Sequence, residues 1–155
     1  MKDARRAEAT SPTERRAAAF RRTREAHKSE VAEDYVELIG DLIAEQGEAR
    51  LTDVAENMAV TQATAAKIVA RLKREGLVEN KPYRSLFLTE EGTRMADRSR
   101  VRHRVVYEFL CALGIEDAVA EADSEGMEHH VSDVTLAAIL ALTKRLRAAP
   151  SGDLA

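Results

Sequence analysis

The sequence predicts a mostly α-helical protein made of two modules, and three observations lead to that prediction. Only three of its 155 residues are proline, while 45% are hydrophobic. Apolar side chains recur at spacings of three and four over most of the chain, which is the period of an amphipathic helix. Residues 77–88 are the exception, because two short apolar runs flank a turn there and indicate a small hairpin.

Composition and charge restrict the class of protein. No apolar run approaches the ~18 residues of a membrane span and the N-terminus lacks a signal-peptide core, so we expect a cytoplasmic protein without a membrane partner. One cysteine cannot form an internal disulfide. Nine Lys or Arg accompany four Asp or Glu in residues 1–28, and seven accompany four in residues 50–85, although the net charge is −3. This segregation favours a polyanion and a cation as two partners; mixed surface charge is the alternative.

The first element is a long helix. Its apolar period covers residues 20–46, and Gly47 is suited to end it. The residues before the apolar stripe have little surface to bury, so residues 1–28 are predicted to be a basic, disordered arm. The folded part of the first module then begins at residue 29.

Residues 49–76 show the pattern of a helix-turn-helix. A short helix over residues 52–58 is followed by a tight turn, and Thr61 caps a second helix that Gly76 ends. The start of such a second helix can reach base edges in the major groove of DNA. The candidate DNA-binding residues on this helix are Thr61, Gln62, Thr64, Lys67 and Arg71. A helical packing module without DNA binding is the alternative interpretation.

A hairpin follows the second helix. Residues 77–79 and 86–88 are its apolar runs, and the turn between them contains Asn and Pro. Its tip carries Tyr83 and Arg84, which suit contacts with a phosphate backbone. Together with the helix-turn-helix, this wing predicts an N-terminal winged helix-turn-helix DNA-binding domain over residues 29–95.

The second module, residues 96–148, is predicted to be helical and to form a dimer. Thr89 caps a helix over residues 90–113 whose second half is apolar, and a last helix over residues 132–146 has a similar face. These faces are larger than so small a module can bury, which favours a homodimer. Residues 149–155 are expected to form a flexible tail.

The sequence SEGMEHH, residues 124–130, contains candidate metal ligands. In a helix, Glu125, Glu128 and His129 lie at i, i+3 and i+4 and share one face. Two carboxylates and an imidazole suit Mn, Fe or Zn, and oxygen-rich sets favour Mn. A solvated, charged turn with a stray histidine pair is the alternative.

Further candidate ligands lie outside this segment. Asp34 and Glu37 are spaced i, i+3 beside the apolar stripe of the first helix, so their carboxylates can point to a common place. His103 lies where charged surface gives way to apolar surface, and it can turn toward the same site. Ordinary surface acids and a half-buried histidine are the alternatives.

Five motifs occur in a fixed order along residues 30–146. They are Asp34-Tyr-Val-Glu37, the helix-turn-helix ending in ARLKREGL, LFLTEEG from Leu86, Arg102-His103, and EGMEHH from Glu125. Together they resemble the manganese transport regulators, the manganese branch of the diphtheria-toxin-repressor family. The resemblance implies a homodimeric, metal-activated repressor that binds double-stranded operator DNA and controls metal-uptake or efflux genes. Twofold symmetry then implies a palindromic operator.

The resemblance also implies the ligand set and the cofactor. By position, the metal ligands of the family correspond to Asp34, Glu37, His103, Glu125, Glu128 and His129. The resemblance thus implies a helical metal-binding and dimerisation domain with a two-metal site in each subunit. This site is expected to hold Mn2+, with Fe2+, Co2+, Cd2+ or Zn2+ as substitutes. The iron-sensing branch has methionine at the position of Asp34 and cysteine at that of Glu125, so two oxygen donors here favour manganese.

Three other functions compete with this interpretation. An iron-responsive regulator of the same family is the first. A winged-helix regulator with an organic effector needs an aromatic or apolar pocket, yet aromatic residues make up only 4% of the chain. A hydrolase with a metal pair needs acid–base groups beyond the ligands, and the chain shows neither a Gly-rich phosphate loop nor a nucleophile beside a base. We therefore expect neither enzymatic activity nor an organic substrate.

Overall fold

The structure is a computed structural model that describes residues 11–80 and 85–148. Within these ranges the chain forms six helices and one two-stranded antiparallel hairpin. The elements are α1 (Pro12–Gln46), α2 (Leu51–Asn57), α3 (Gln62–Arg74), β1 (Val78–Asn80), β2 (Leu86–Leu88), α4 (Glu90–Ala112), α5 (Asp117–Met127) and α6 (Asp133–Ala148). The predicted mostly α fold is confirmed, with α1 to β2 as the first module and α4 to α6 as the second.

Helix α1 begins earlier than the apolar pattern predicts. Ser11 accepts a hydrogen bond from the Glu14 amide, the Glu14 side chain accepts one from the Ser11 amide, and Pro12 is the first helical residue. This capping box starts a helix at residue 12 because it satisfies amide groups that the first turn leaves without partners. The expected disordered arm is therefore wrong for residues 12–28, whereas residues 1–10 lie outside the described ranges.

The helix-turn-helix forms within one residue of its predicted bounds. The Thr61 side chain accepts a hydrogen bond from the Thr64 amide at 3.2 Å and caps α3 as expected. Helix α3 buries Ala65, Val69 and Leu72 on one face. The opposite face of α3 is thereby left toward solvent.

The hairpin pairs Val78 with Leu88 and Asn80 with Leu86. Helix α4 starts directly behind it, capped by Thr89, and packs so closely that a Cβ on Gly92 would lie 2.0 Å from the Leu77 carbonyl oxygen. The predicted phosphate contacts Tyr83 and Arg84 belong to the tip between the strands, residues 81–84, which lies outside the described ranges, as do residues 149–155. None of the helices in the described ranges is both long and apolar enough to cross a bilayer.

Two apolar cores lie along α4, one at each half of the helix. The larger one forms where α1 packs on α2, α3 and the hairpin, and its fully buried members include Val36, Ile39 and Leu72. The smaller one joins α4 to α5 and α6 around Val106 and Ala120. Because α1 also packs along α4, one face of α1 belongs to the first core while another faces the second module.

Helix α5 ends inside the predicted ligand segment. Its last residue is Met127, Glu128 is the C-cap, and His129 lies in the turn that follows. Arg102 of α4 holds this turn, because its guanidinium donates to the Glu128 carbonyl at 2.8 and 3.2 Å and also to the Val131 carbonyl. The helical i, i+3 spacing therefore describes Glu125 and Glu128, whereas tertiary contacts decide where His129 points.

Candidate metal centre

A polar cavity of about 350 Å³ lies between the two modules. Its lining residues are Asp34, Glu37, Leu38, Asp41, Asn57, Met58, His103, Glu125 and Glu128. Five of the six expected ligands are among them, and the sixth, His129, contacts two of those five. The walls come from α1, from the end of α2, and from α4 and α5, so the cavity joins the helix-turn-helix to the second module.

One group of expected ligands, the inner group, consists of His129, Asp34 and Glu128. The His129 Nε2 atom lies 3.2 Å from Asp34 Oδ1 and 3.5 Å from Glu128 Oε1. Hydrogen bonds to Asp34 and then Glu33 raise the pKa of His129 to about 10, and burial raises the pKa of Glu128 to about 7. The side chains of His129 and Glu128 are buried and held by the fold, whereas that of Asp34 is 43% exposed.

A second group, the outer group, consists of His103, Glu125 and the same Glu128. The His103 Nδ1 atom lies 3.0 Å from Glu128 Oε2 and 3.6 Å from Glu125 Oε1. Glu128 thus places one carboxylate oxygen toward each histidine. A carboxylate between two imidazoles in this way can be shared by two cations.

One oxygen of the Glu128 carboxylate is better suited to a cation than to the protein groups around it, whereas the other accepts a hydrogen bond from the Ser99 hydroxyl at 3.1 Å. Its Oε2 atom is buried and has no hydrogen bond within the described residues, although His103 Nδ1 is only 3.0 Å away. His103 Nδ1 can lie this close to Oε2 without a hydrogen bond if the N–H group of the ring does not point at the oxygen. An unsatisfied buried carboxylate oxygen is costly, and a divalent cation between nitrogen and oxygen donors would satisfy it.

Glu37 is less directly engaged than the other expected ligands. It lines the cavity, and burial raises the pKa of its carboxyl group. Its Oε1 atom lies 3.9 Å from Arg100 Nε, while the same guanidinium binds Asp41 Oδ1 at 2.6 Å. Glu37 therefore lies between the cavity and the Arg100 guanidinium, which competes with a bound cation for its carboxylate.

Two acids near the histidines are absent from the predicted set. Glu33 Oε2 lies 2.7 Å from His129 Nδ1, and Glu121 Oε1 lies 3.6 Å from His103 Nε2. Within the described residues, His103, Glu121 and Glu125 place ligand atoms within 4.8 Å of one another. The i, i+4 spacing of Glu121 with Glu125 and of Glu33 with Glu37 is a signal that could have found both acids.

The predicted DNA-contacting residues of α3 fall into two sets. Thr61, Gln62, Thr64 and Lys67 are exposed at and after the N-terminus of the helix. Arg71 is half-buried and engaged within the chain, because it donates to the Lys28 carbonyl at 3.3 Å and lies 3.5 Å from Glu75. Contact of Arg71 with DNA would require its guanidinium to leave these partners.

Comparison with known proteins places this geometry in a family. Residues 27–86 match the domain described as "Iron dependent repressor, N-terminal DNA binding domain", and residues 89–154 match "Iron dependent repressor, metal binding and dimerisation domain". The transcriptional regulator MntR of Escherichia coli O6:H1 is 51% identical over 126 residues, which are 81% of each chain.

Solved structures show the same likeness. A manganese-dependent transcriptional repressor in complex with manganese is 31% identical with a TM-score of 0.64, over 73% of this chain and 52% of that one. The manganese regulator SloR is 26% identical with a TM-score of 0.65, over 73% and 53%. The chain thus spans about half the length of these two structures. With the two domain matches and the MntR relative, this shows that the chain belongs to the iron-dependent repressor family of transcriptional regulators, as its five motifs indicated.

Proposed function

We propose that the chain is a manganese-responsive transcriptional repressor that binds palindromic operator DNA as a homodimer when it is loaded with metal. Its targets are proposed to be metal-uptake or efflux genes. The observation that carries this proposal is the position of Glu128, with one oxygen toward His103 Nδ1 and the other toward His129 Nε2. The names of the relatives, which include manganese regulators, support it.

Two cation positions in each subunit are proposed from the two groups of side chains. The inner position is held by Asp34, Glu128 and His129, and the outer one by His103, Glu125 and the same Glu128. Glu37 completes the set from the cavity wall. These six residues are the ones that the resemblance implied.

The chemistry of the donors favours manganese. The set contains four carboxylates, two imidazoles and no sulfur, and hard oxygen donors suit Mn2+. Fe2+, Co2+, Cd2+ and Zn2+ are proposed as substitutes because imidazole and carboxylate also bind them. An iron-responsive regulator remains the second candidate, favoured by the family descriptions, which name iron.

The placement of the ligands supports coupling between metal and DNA. Asp34 and Glu37 belong to α1 of the first module, whereas the other four proposed ligands belong to the second module. A bound divalent cation would supply the positive charge that lets these carboxylates stay together. Asn57 and Met58 of the cavity wall directly precede the turn to α3, so a fixed cavity also fixes the base of the recognition helix.

The DNA surface is proposed to use α3 for reading and the wing for anchoring. Gln62, Thr64 and Lys67 lie in the part of α3 that can enter a major groove. Tyr83 and Arg84 are proposed phosphate contacts. If a dimer places two α3 helices on one face of DNA, the half-sites lie about 34–36 Å apart or at a multiple of that distance.

Dimerisation is supported by apolar side chains that the described part of the second module leaves exposed. They include Val101, Leu113, Val119 and Val134. An apolar surface of this kind suits burial against a second copy. The cytoplasmic location, the lack of enzymatic activity and the lack of an organic substrate are parts of the same proposal.

Calorimetry and DNA binding test the proposal together. DNA fragments are first selected from a random pool by the manganese-loaded chain. We expect two Mn2+ per subunit, and tight binding to the selected fragments only with metal present. Tight DNA binding that metal chelation leaves unchanged would contradict the proposal, and a stronger response to Fe2+ than to Mn2+ under anaerobic conditions would favour the second candidate.

A further inference from the structure

We propose that Glu33 is a positioning residue of the metal centre, which holds the Nδ1–H group of His129 and thereby determines that Nε2 is the nitrogen offered to the cation. This inference rests on the proposed function, because it concerns the inner position. Neither the five motifs nor the implied ligand set includes Glu33.

The geometry around the His129 ring separates its two nitrogens. Nδ1 lies 2.7 Å from Glu33 Oε2, which is the shortest contact of the ring. Nε2 faces the cavity acids, at 3.2 Å from Asp34 Oδ1 and 3.5 Å from Glu128 Oε1. Neighbouring residues of a helix point about 100° apart, so Glu33 and Asp34 reach the two nitrogens of one ring from a single turn of α1.

Glu33 is itself fixed in place. Its other carboxylate oxygen, Oε1, accepts a hydrogen bond from the Ser29 hydroxyl at 2.9 Å. The side chains of Glu33 and His129 are 12% and 3% exposed, so little water competes for the bond between them. Glu33 does not line the cavity, which distinguishes it from the proposed ligands.

The chemistry of imidazole explains why such a partner matters. A neutral ring has one N–H donor and one lone pair, and the partner of one nitrogen decides which is which. An ionised carboxylate can only accept at Nδ1, so the Nδ1 proton stays in place and the Nε2 proton is the one that a metal displaces. Loss of such an outer partner of a histidine ligand typically weakens metal binding about 10–100-fold.

Glu33 also connects the two modules without a cation. It lies in the segment that matches the DNA-binding domain, and His129 lies in the segment that matches the metal-binding domain. The hydrogen bond thus sets the inner histidine against α1 before metal arrives. The inner position is partly assembled as a result.

A nearby pair offers a matched control. Glu30, one turn before Glu33 on α1, approaches His130 Nε2 at 3.8 Å, but that histidine is 50% exposed. Both pairs join a glutamate of α1 to a histidine of the same turn, although the Glu30 oxygen also lies 2.9 Å from His27 Nδ1. Only the Glu33 pair is buried and involves a proposed ligand.

The test compares Glu33→Gln, Glu33→Ala and the control Glu30→Gln in the full chain. We expect Mn2+ affinity to fall about 10–100-fold in Glu33→Ala and by less in Glu33→Gln, whose amide oxygen can still accept from Nδ1–H. Affinity in Glu30→Gln should stay within about twofold, since its partner is no ligand. Glu33→Gln keeps the shape of the side chain and guards against a misfolded Glu33→Ala.

A spectroscopic readout separates positioning from general stability. In the Zn2+-loaded wild type, 15N NMR of His129 should show a protonated Nδ1 with slow hydrogen exchange and a metal-bound Nε2. That Nδ1–H signal should exchange rapidly in Glu33→Ala and persist in Glu30→Gln. Wild-type affinity and an unchanged Nδ1–H signal in both Glu33 variants would overturn the inference while leaving the metal centre intact. Failure of the wild type to bind Mn2+ or Zn2+ would instead overturn the proposed function.

Discussion

The inner and outer groups use the same side-chain types but differ in how firmly the protein holds them. His129 and Glu128 are each 3% exposed, whereas His103 is 21% and Glu125 is 67% exposed. Each histidine has an acid at the nitrogen that faces away from Glu128: Glu33 at 2.7 Å for His129, and Glu121 at 3.6 Å for His103. The fold therefore holds His129 and Glu128 in place, whereas a cation at the proposed outer position would have to gather more exposed side chains.

The two groups also differ in which modules they join. The inner group takes Asp34 from the first module, whereas His103, Glu121 and Glu125 all belong to the second. A cation at the inner position would tie the modules together through Asp34, whereas one at the outer position would do so only if Glu37, which lines a pocket with His103 and Glu121, turned away from Arg100. Affinity for metal and coupling to DNA can therefore depend on different side chains of one site.

The largest expected effect comes from removing what the two groups share. Glu128→Ala deletes the carboxylate that faces both histidines, so both positions lose a ligand at once. We expect Mn2+ affinity to fall by at least about 100-fold, which is the upper end of the range for losing an outer partner of a ligand, because here a ligand itself is lost. Metal-dependent DNA binding should disappear. Isothermal titration measures the first and an electrophoretic mobility assay the second; two Mn2+ still bound with wild-type affinity would remove Glu128 from the site.

The next prediction separates the groups with a matched pair of variants. His129→Ala and His103→Ala should each reduce the stoichiometry from two Mn2+ to one. Only His129→Ala should lose most of the metal-dependent gain in DNA affinity, which is typically about 5–150-fold for coupled sites. Fluorescence anisotropy with a selected DNA fragment provides the comparison, and a greater loss in His103→Ala would reverse the assigned roles.

The raised pKa values of the inner group predict a dependence on pH. The pKa of His129 is raised to about 10 and that of Glu128 to about 7, so metal must displace protons from them. Mn2+ affinity should therefore increase from about pH 6 to about pH 8 with release of protons, which titrations in buffers of different ionisation enthalpy measure. A pH-independent affinity would contradict these pKa shifts.

The same pKa values predict the direction in which the stability of the metal-free protein changes with pH. Both folded pKa values lie above those of the unfolded chain, so protonation favours the folded state. This contribution is complete below the unfolded pKa of each group, and it is lost as pH rises through about 7 for Glu128 and about 10 for His129. The Tm of the metal-free chain should fall over that window, and His129→Gln should remove the part near pH 10.

The smallest expected effect concerns Glu121. It faces Nε2 of His103, while Glu125 and Glu128 face Nδ1, so one cation cannot use all three with the same ring nitrogen. Because its side chain is 59% exposed, Glu121→Gln should weaken the outer position by no more than about threefold. Loss of one Mn2+ per subunit in this variant would make Glu121 a ligand and shift the outer position toward Nε2.

Much of the fold was predictable because local rules determine it. Thr61 and Thr89 cap α3 and α4 as their sequence positions indicate, and Gly47 ends α1 in a left-handed conformation with φ of 82°. The capping-box sequence Ser11-Pro-Thr-Glu14 also indicates the start of α1, but the apolar period does not extend to these residues. A capping box can extend a helix beyond the part that packs on a core, because it satisfies the amide groups of the first turn.

Spacing along the chain was enough to show which acids share a helical face, because i, i+3 places Asp34 with Glu37 and Glu125 with Glu128 whatever surrounds them. No such spacing rule predicts the distances between side chains on different helices. Only the packing of α1 against α4 and the turn held by Arg102 brought Glu33 to His129 and put Glu128 between two imidazoles. Helical periodicity relates residues on one helix, whereas a site built from several helices depends on how their side chains interlock in the core.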